Sequence, residues 1–258
     1  MTPSQRSGCP DCGGMGFVGY DVDPAHPMFG RVKPCENSAF HGAERLQRAA
    51  ALSGLMAGDL ERRLADIKPM PGNKPMLEAA RKMISNPYGW LYIHGGPGNA
   101  KSEILIAIVN ELNASGQGPA LYIKFSRLIE WMRDAFTEKA NRDRQLAQGR
   151  GFYDLENLGY LDRFERIKSI RCLALDEIDK ARMTEFAEEF RFDFFDERYR
   201  LGVYGQAVTL FASQTPPEVM PEPLVSRFRD GRFRVVENGA ADARPGMRRA
   251  EGGLRWHD

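Results

Sequence analysis

The residues with the most chemistry in this chain are consecutive: Gly95, Gly96, Pro97, Gly98, Asn99, Ala100, Lys101 and Ser102. An apolar run, Leu91 to Ile93, precedes them, and the helical pattern I-L-I-A-I-V-N-E-L follows. Strand, glycine-rich turn and helix in that order make a phosphate-binding loop. Small residues let backbone N–H groups face phosphates, and the helix N-terminus adds partial positive charge. Lys101 reaches the terminal phosphates, and Ser102 offers a hydroxyl to Mg²⁺. The spacing is G-x-x-x-x-G-K-[ST] with Ala100 in place of the last glycine. Alanine lacks glycine's freedom at positive φ and sets a methyl where backbone approaches phosphate, so weakened nucleotide binding is the expectation.

The second half of such a site needs carboxylates. In R-C-L-A-L-D-E-I-D, from Arg171 to Asp179, the apolar run Cys172 to Leu175 reads as a buried parallel strand ending in Asp176 and Glu177. Ligands of open α/β sheets gather at such strand ends. Asp176 would hold Mg²⁺, directly or through water, and Glu177 would polarise the water that attacks the γ-phosphate. Cys172 reads as core. A further apolar run, Ala207 to Ala212, ends in Ser213 and Gln214. Gln214 is placed to sense the γ-phosphate or orient water, with a helix-capping Ser213 as the alternative use of that corner.

The N-terminus poses a metal question. Cys9-Pro10-Asp11-Cys12-Gly13-Gly14 has the form of a zinc knuckle, and Cys35 adds a third thiolate. Tetrahedral Zn²⁺ needs a fourth ligand, and position 38, where a second C-x-x-C would end, is serine. His41 is the favoured fourth ligand and His26 the alternative. A segment this small and this poor in apolar residues would hardly fold without metal.

The elements that must position these groups follow from pattern. Leu46, Leu52, Leu55, Leu60 and Leu64 recur at helical spacing across Gly42 to Ile67, broken near Gly54 and Gly58. Lys68 to Lys74 is a linker by composition, and Pro75 to Ser85 a helix. Ala120 to Phe125 reads as a strand and Ser126 to Lys139 as a helix. The polar stretch Asn141 to Tyr153 reads as a loop, either solvated or in contact with DNA. Thr184 to Arg200 is a helix whose phenylalanines face the core, and Arg232 to Val236 a last strand. The domain scheme is a zinc-binding head (1–41), a helical segment and linker (42–74), an ATPase domain (75–237) and an unstructured tail (238–258).

A chain of 258 residues can bury one sizeable core with a small appendage. Its net charge of +1 predicts neither nucleic-acid nor membrane affinity, so a DNA contact would need a local patch. No apolar run approaches the ~20 residues of a membrane span, and the N-terminus has no signal-peptide core. A soluble, cytoplasmic protein with no membrane partner is expected. Four cysteines, three of them within the first 35 positions, suit a reducing compartment and a metal site.

Taken in order, the Cys9/Cys12/Cys35 head, N-P-Y-G-W-L-Y-I-H-G-G-P-G-N-A-K-S, L-A-L-D-E, F-A-S-Q-T-P-P-E and S-R-F resemble the DnaC/DnaI-type replicative helicase loaders, in a phage or prophage version. The resemblance spans roughly positions 9 to 237. It implies an α/β fold: an AAA+ P-loop NTPase core, a parallel sheet flanked by helices without a C-terminal lid domain, carrying a small N-terminal zinc-binding unit. It implies ATP, Mg²⁺ and Zn²⁺ as cofactors, and as partners the replicative DNA helicase, single-stranded DNA and further copies of the chain, joined through the ATP site. In Ser226-Arg227-Phe228 the resemblance makes Arg227 the arginine that reaches a neighbouring subunit's ATP, with Arg229 the second choice. Such an arginine stabilises charge on the transferring phosphoryl group. Several AAA+ branches carry alanine before the lysine, which fits Ala100. Gln214 stands where asparagine is usual, Glu177 where a second aspartate is frequent, and Cys35 is unpaired. Two other readings share the core: an ATPase helper of an insertion-sequence transposase, and a zinc-dependent adaptor with a decayed ATPase site.

Overall fold

The computed structural model describes residues 17–19, 23, 32–34, 55–147, 159–244, 247–250 and 253–256. The chain divides into two compact units, Met1–Gly54 and Leu55–Asp258. Within the first, β1 (Phe17–Gly19) and β2 (Val32–Pro34) pair antiparallel. The proposed zinc ligands Cys9, Cys12, Cys35 and His41, and the alternative His26, lie outside the described residues, as do positions 42–54.

The second unit opens with α1 (Ala57–Leu60) and a 3-10 turn at Leu64–Asp66, so the described part of the expected helical stretch is two short pieces. Then come α2 (Lys74–Ser85), β3 (Gly89–His94), α3 (Lys101–Ala114), β4 (Ala120–Lys124) and α4 (Phe125–Ala147). They are followed by α5 (Tyr160–Lys168), β5 (Cys172–Asp176), α6 (Glu185–Val203) and β6 (Val208–Ser213). α7 (Glu222–Phe228), β7 (Arg234–Glu237) and a separate hairpin, β8 (Met247–Ala250) with β9 (Gly253–Trp256), complete the order.

Strands β3 to β7 form one five-stranded sheet in the order β4-β5-β6-β3-β7, every described pair parallel. Parallel strands need helical crossovers, so both faces are covered and the strands read as continuous apolar runs. The period-2 alternation of β3 sorts its side chains. Leu91 and Ile93 join an aliphatic cluster with Met76, Leu77, Ile104, Leu105 and Ile108 of α2 and α3. Trp90 and Tyr92 face an aromatic layer: Trp90 stacks on Phe233, just before β7, at 5.5 Å between centroids and meets Phe211 of β6 edge-on at 4.9 Å. Trp90 also contacts Tyr199 of α6 and Phe228 of α7. Over Ile104 to Val109 α3 is apolar on every face, and all of that run is buried. In α6, Phe186, Phe190 and Phe194 recur every four residues and stack on one another, with Thr184 capping the helix by accepting from the Ala187 N–H.

Arg198 of α6 is fully buried and clamps the N-terminal ends of two strands. It donates to the Thr209 hydroxyl at 3.0 Å, to the carbonyls of Lys168 and Ile170, and to that of Val208. Such a guanidinium is tolerable because its N–H groups find acceptors.

Three segments differ from expectation. α4 continues past Lys139 into the polar stretch read as a loop, ending at Ala147. Lys68 to Lys74, read as a linker, is held by buried Asn73, which accepts from the Met70 N–H at 2.9 Å and donates to the Lys68 carbonyl at 3.0 Å. Positions 238–258, read as an unstructured tail from their polarity, are ordered where described: Asn238 and Ala240 are buried, and β8 and β9 pair as a hairpin.

Candidate functional site

The carboxyl ends of β3, β5 and β6 converge on one cleft. The phosphate-loop residues Pro97 to Ser102 form one wall, Asp176, Glu177 and Asp179 a second, and Ser213 with Gln214 a third. Ile67, Lys68 and Met70 close it on the N-terminal side, and Ala243 and Arg244 on the C-terminal side. Lys180 lies at its edge. Strand order explains the meeting: β3 sits between β6 and β7, and the chain leaves it for the far edge, β4, before returning through β5 and β6. That reversal opens the crevice in which α/β sheets hold ligands.

The loop has the expected conformation. Ala100 is left-handed, at φ 67° and ψ 17°, directly before Lys101 begins α3. This is where the motif asks for glycine, and alanine adopts the geometry at a cost of about 1–2 kcal/mol. Gly98 is also at positive φ, 69°. The Lys101 ammonium is folded back onto the loop, donating to the carbonyls of Gly95 (2.8 Å) and Gly96 (2.5 Å) and to Asn99 Oδ1 (2.9 Å). Burial lowers the Lys101 pKa, partly countered by Asp176 and Asp179.

Asp176 is 2 % exposed. The Tyr122 hydroxyl donates to its Oδ2 at 2.5 Å, and the Glu177 N–H to its Oδ1 at 2.9 Å. Burial and the facing carboxylate push the Tyr122 phenol well above its ordinary range, so it remains a donor. Glu177 is left-handed, φ 53°. Its carboxylate is paired with Lys124 at 2.9 Å and Lys180 at 3.0 Å. The hydrogen bond from Lys124, then that from Lys180, hold it below the usual carboxylate range against the opposing effect of burial. Backbone strain of this kind clusters where side-chain aim matters. Asp179 Oδ1 is buried without a hydrogen-bond partner, an acceptor free for a cation or its water.

Gln214 lines the cleft and is exposed. Ser213 does not cap a helix. Its hydroxyl accepts from the Thr215 N–H at 3.0 Å, tightening the turn that presents Gln214. Arg227 is not among the residues lining the cleft. It is ion-paired with Asp196 and lies over the Phe192 and Tyr199 rings. Arg229 is 3.7 Å from Glu222 and mostly exposed. Among the described residues no group of three or more His, Cys, Asp or Glu side chains could hold a metal ion. A Mg²⁺ held by Ser102 and Asp176 would therefore draw its remaining oxygens from phosphate and water, as Mg²⁺ commonly does. The donors present fit it.

Sequence reasoning missed Tyr122, Lys124, Asp179 and Lys180, and the segment 238–244. The signal for Tyr122 and Lys124 lay in the apolar run Ala120 to Phe125. Once paired with β5, that strand sets Lys124 beside Asp176 in register.

No protein-family model and no curated protein sequence matches this chain. Solved structures match its fold. AMPPCP-bound DnaA from Aquifex aeolicus superposes with a TM-score of 0.53 at 22% identity, over 69% of this chain and 50% of that one. DnaA bound to AMPPCP and single-stranded DNA gives 0.52 at 21%, with the same coverage. The DnaC helicase loader gives 0.52 at 13%, over 71% of this chain and 99% of that one. The chain thus spans about half the length of the DnaA structures it resembles. The likeness is one of fold alone: an α/β core built on a five-stranded parallel sheet.

Proposed function

We propose that the chain is an ATP-binding and ATP-hydrolysing switch that loads the replicative DNA helicase during replication initiation. The observation that carries the reading is the cleft itself: a phosphate loop with a left-handed residue before Lys101, facing Asp176 and Glu177. Lys101 exchanges the carbonyls of Gly95 and Gly96 for phosphate oxygens, and the N–H groups of the loop from Gly95 to Ser102 cradle the phosphates. Ser102 and Asp176 would hold Mg²⁺, which would supply charge neutralisation at the phosphates. Glu177 accepts the proton of the attacking water as its oxygen bonds to the γ-phosphorus and the bond to ADP breaks. Gln214 orients that water. Arg227 serves the site of a neighbouring copy, released from Asp196 as copies assemble.

The likeness to a helicase loader and to DnaA bound to single-stranded DNA supports helicase and single-stranded DNA as partners; assembly of further copies through the ATP site belongs to the same proposal. The scheme of a zinc head over 1–41, a connecting segment over 42–74 and an ATPase domain from 75 belongs to this proposal, with residues 238–244 added to that domain. So do Zn²⁺ bound by Cys9, Cys12, Cys35 and His41, and a cytoplasmic location. Among the described residues no helix is long and apolar enough to cross a membrane.

The ion pairs of Glu177 with Lys124 and Lys180, and of Arg227 with Asp196, favour a site that turns over slowly until a partner rearranges it. Size-exclusion chromatography with light scattering, on this protein mixed with the host's replicative helicase, tests the proposal. A complex that changes with ATP and is lost in Lys101→Ala is expected. No complex under any nucleotide condition overturns the loader reading.

A further inference from the structure

The phosphate loop is gripped from outside by the segment 238–244, and the nucleotide reading gives no reason for the grip. Asn238 is 1 % exposed and forms a reciprocal pair with Asn99. The Asn99 side-chain amide donates to the Asn238 carbonyl at 3.0 Å, and the Asn238 amide donates to the Asn99 carbonyl at 2.6 Å. The Asn238 N–H donates to the His94 carbonyl at 2.7 Å, at the point where β3 enters the loop. Asn99 Oδ1 accepts from the Lys101 ammonium. A continuous chain of contacts therefore runs from Lys101 through Asn99 to Asn238.

Further along, the Ala243 N–H donates to the Gly98 carbonyl at 3.1 Å and the Gly239 N–H to the Gly72 carbonyl at 3.2 Å. The Asp242 carboxylate occupies the space a side chain at Gly98 would need: a Cβ built there would lie 1.7 Å from Asp242 Oδ1. A negative group thus rests against a loop whose N–H groups and lysine attract anions.

We propose that residues 238–244 are a latch that sets how tightly the loop takes nucleotide. Asn238 is a positioning residue that acts through Asn99 on Lys101. Asp242 opposes bound polyphosphate by holding its charge against Gly98. Lys101 must leave Asn99 Oδ1 to reach phosphate, so filling the site perturbs the pair on which the latch is fastened. The inference rests on the nucleotide reading above.

The test titrates ATP with Mg²⁺ into the full chain and into Asn99→Ala, Asn238→Ala, the double variant and Asp242→Asn. Asn238→Ala shifts the ATP dissociation constant by about tenfold alone and by less than about twofold in the Asn99→Ala background, because contacting residues are coupled. A merely structural role would lower the melting temperature without that dependence on Asn99. Asp242→Asn keeps the acceptor for the Arg244 N–H. It tightens ATP by about threefold, and ADP by less, because Coulomb repulsion scales with phosphate charge.

If Asn238→Ala does not fold, Asp242→Asn and hydrogen exchange decide: the Gly239 and Ala243 amides exchange at rates that change with ATP. Wild type that binds ATP while every folded variant binds within twofold, with unchanged exchange, overturns the latch alone. Wild type that binds no nucleotide overturns the nucleotide reading and the latch with it.

Discussion

Ala100 provides a quantitative test of the loop. In its left-handed conformation an L-residue carries about 1–2 kcal/mol of strain. Replacing it with glycine removes that strain but returns about 0.5–1 kcal/mol through the freer unfolded chain. The methyl is also partly buried against the aliphatic cluster under the sheet. Half of a methylene's transfer free energy is about 0.4 kcal/mol. The terms nearly cancel, which explains how the chain carries alanine there. Ala100→Gly is therefore expected to shift stability by less than about 0.5 kcal/mol, a melting-temperature change under roughly 2 °C. Ala100→Val has no such offset, since a β-branched residue is an outlier at that φ. It should cost about 2 kcal/mol or more, lowering the melting temperature by roughly 4–8 °C. Calorimetry on the nucleotide-free protein checks both. A harmless valine would refute the left-handed loop, and a glycine gain above about 2 kcal/mol would refute the offset.

Other expectations follow from the same geometry. Glu177→Gln should cut ATP hydrolysis by about 10²–10⁴-fold, the usual contribution of a general base, while ATP binding measured calorimetrically stays within a few-fold. The Glu177 carboxylate is held below its ordinary pKa by Lys124 and Lys180. The stability this lends is present above the unfolded pKa, near 4.5, and lost only as pH falls through the lower folded value. The hydrolysis rate should thus show no acid limb from Glu177 between pH 8 and about 5, and replacing both lysines with alanine should move that limb upward. Burial pushes the Cys172 thiol up to about 12. In the native protein at pH 8 an alkylating reagent should leave the Cys172 peptide unmodified by mass spectrometry, and denaturant should expose it. Tyr122→Phe removes the hydroxyl on Asp176 and should weaken Mg²⁺-dependent ATP binding more than binding without Mg²⁺, which parallel titrations would reveal.

The parts of the site legible in sequence are those whose meaning is local. Gly95 to Ser102 is one continuous turn between a strand and a helix, and Asp176 and Glu177 end one apolar run, so spacing alone carried them. Tyr122 and Lys124 matter only through the pairing of β4 with β5, which no short-range pattern contains. The segment 238–244 escaped for a different reason. Its apolar content is low, and it is fixed by backbone N–H groups and by the Asn99–Asn238 pair rather than by hydrophobic burial. Helix α5, Tyr160 to Lys168, escapes a composition-based reading because five of its nine residues are charged, although Tyr160, Phe164 and Ile167 keep helical spacing. The end of α4 was misplaced because Arg142 and Arg144 resemble a loop by composition yet are acceptable on a helix. Arg227 was chosen for its place in a motif, and its pairing with Asp196 of α6, 31 positions earlier, could be seen only in three dimensions.

The most direct test is calorimetric titration of ATP with Mg²⁺ into the full chain, beside Lys101→Ala. Binding that disappears in the variant, while its folding is intact by circular dichroism, is the predicted result. Equal binding by both proteins, or none by the wild type, would contradict the assignment of this cleft to nucleotide.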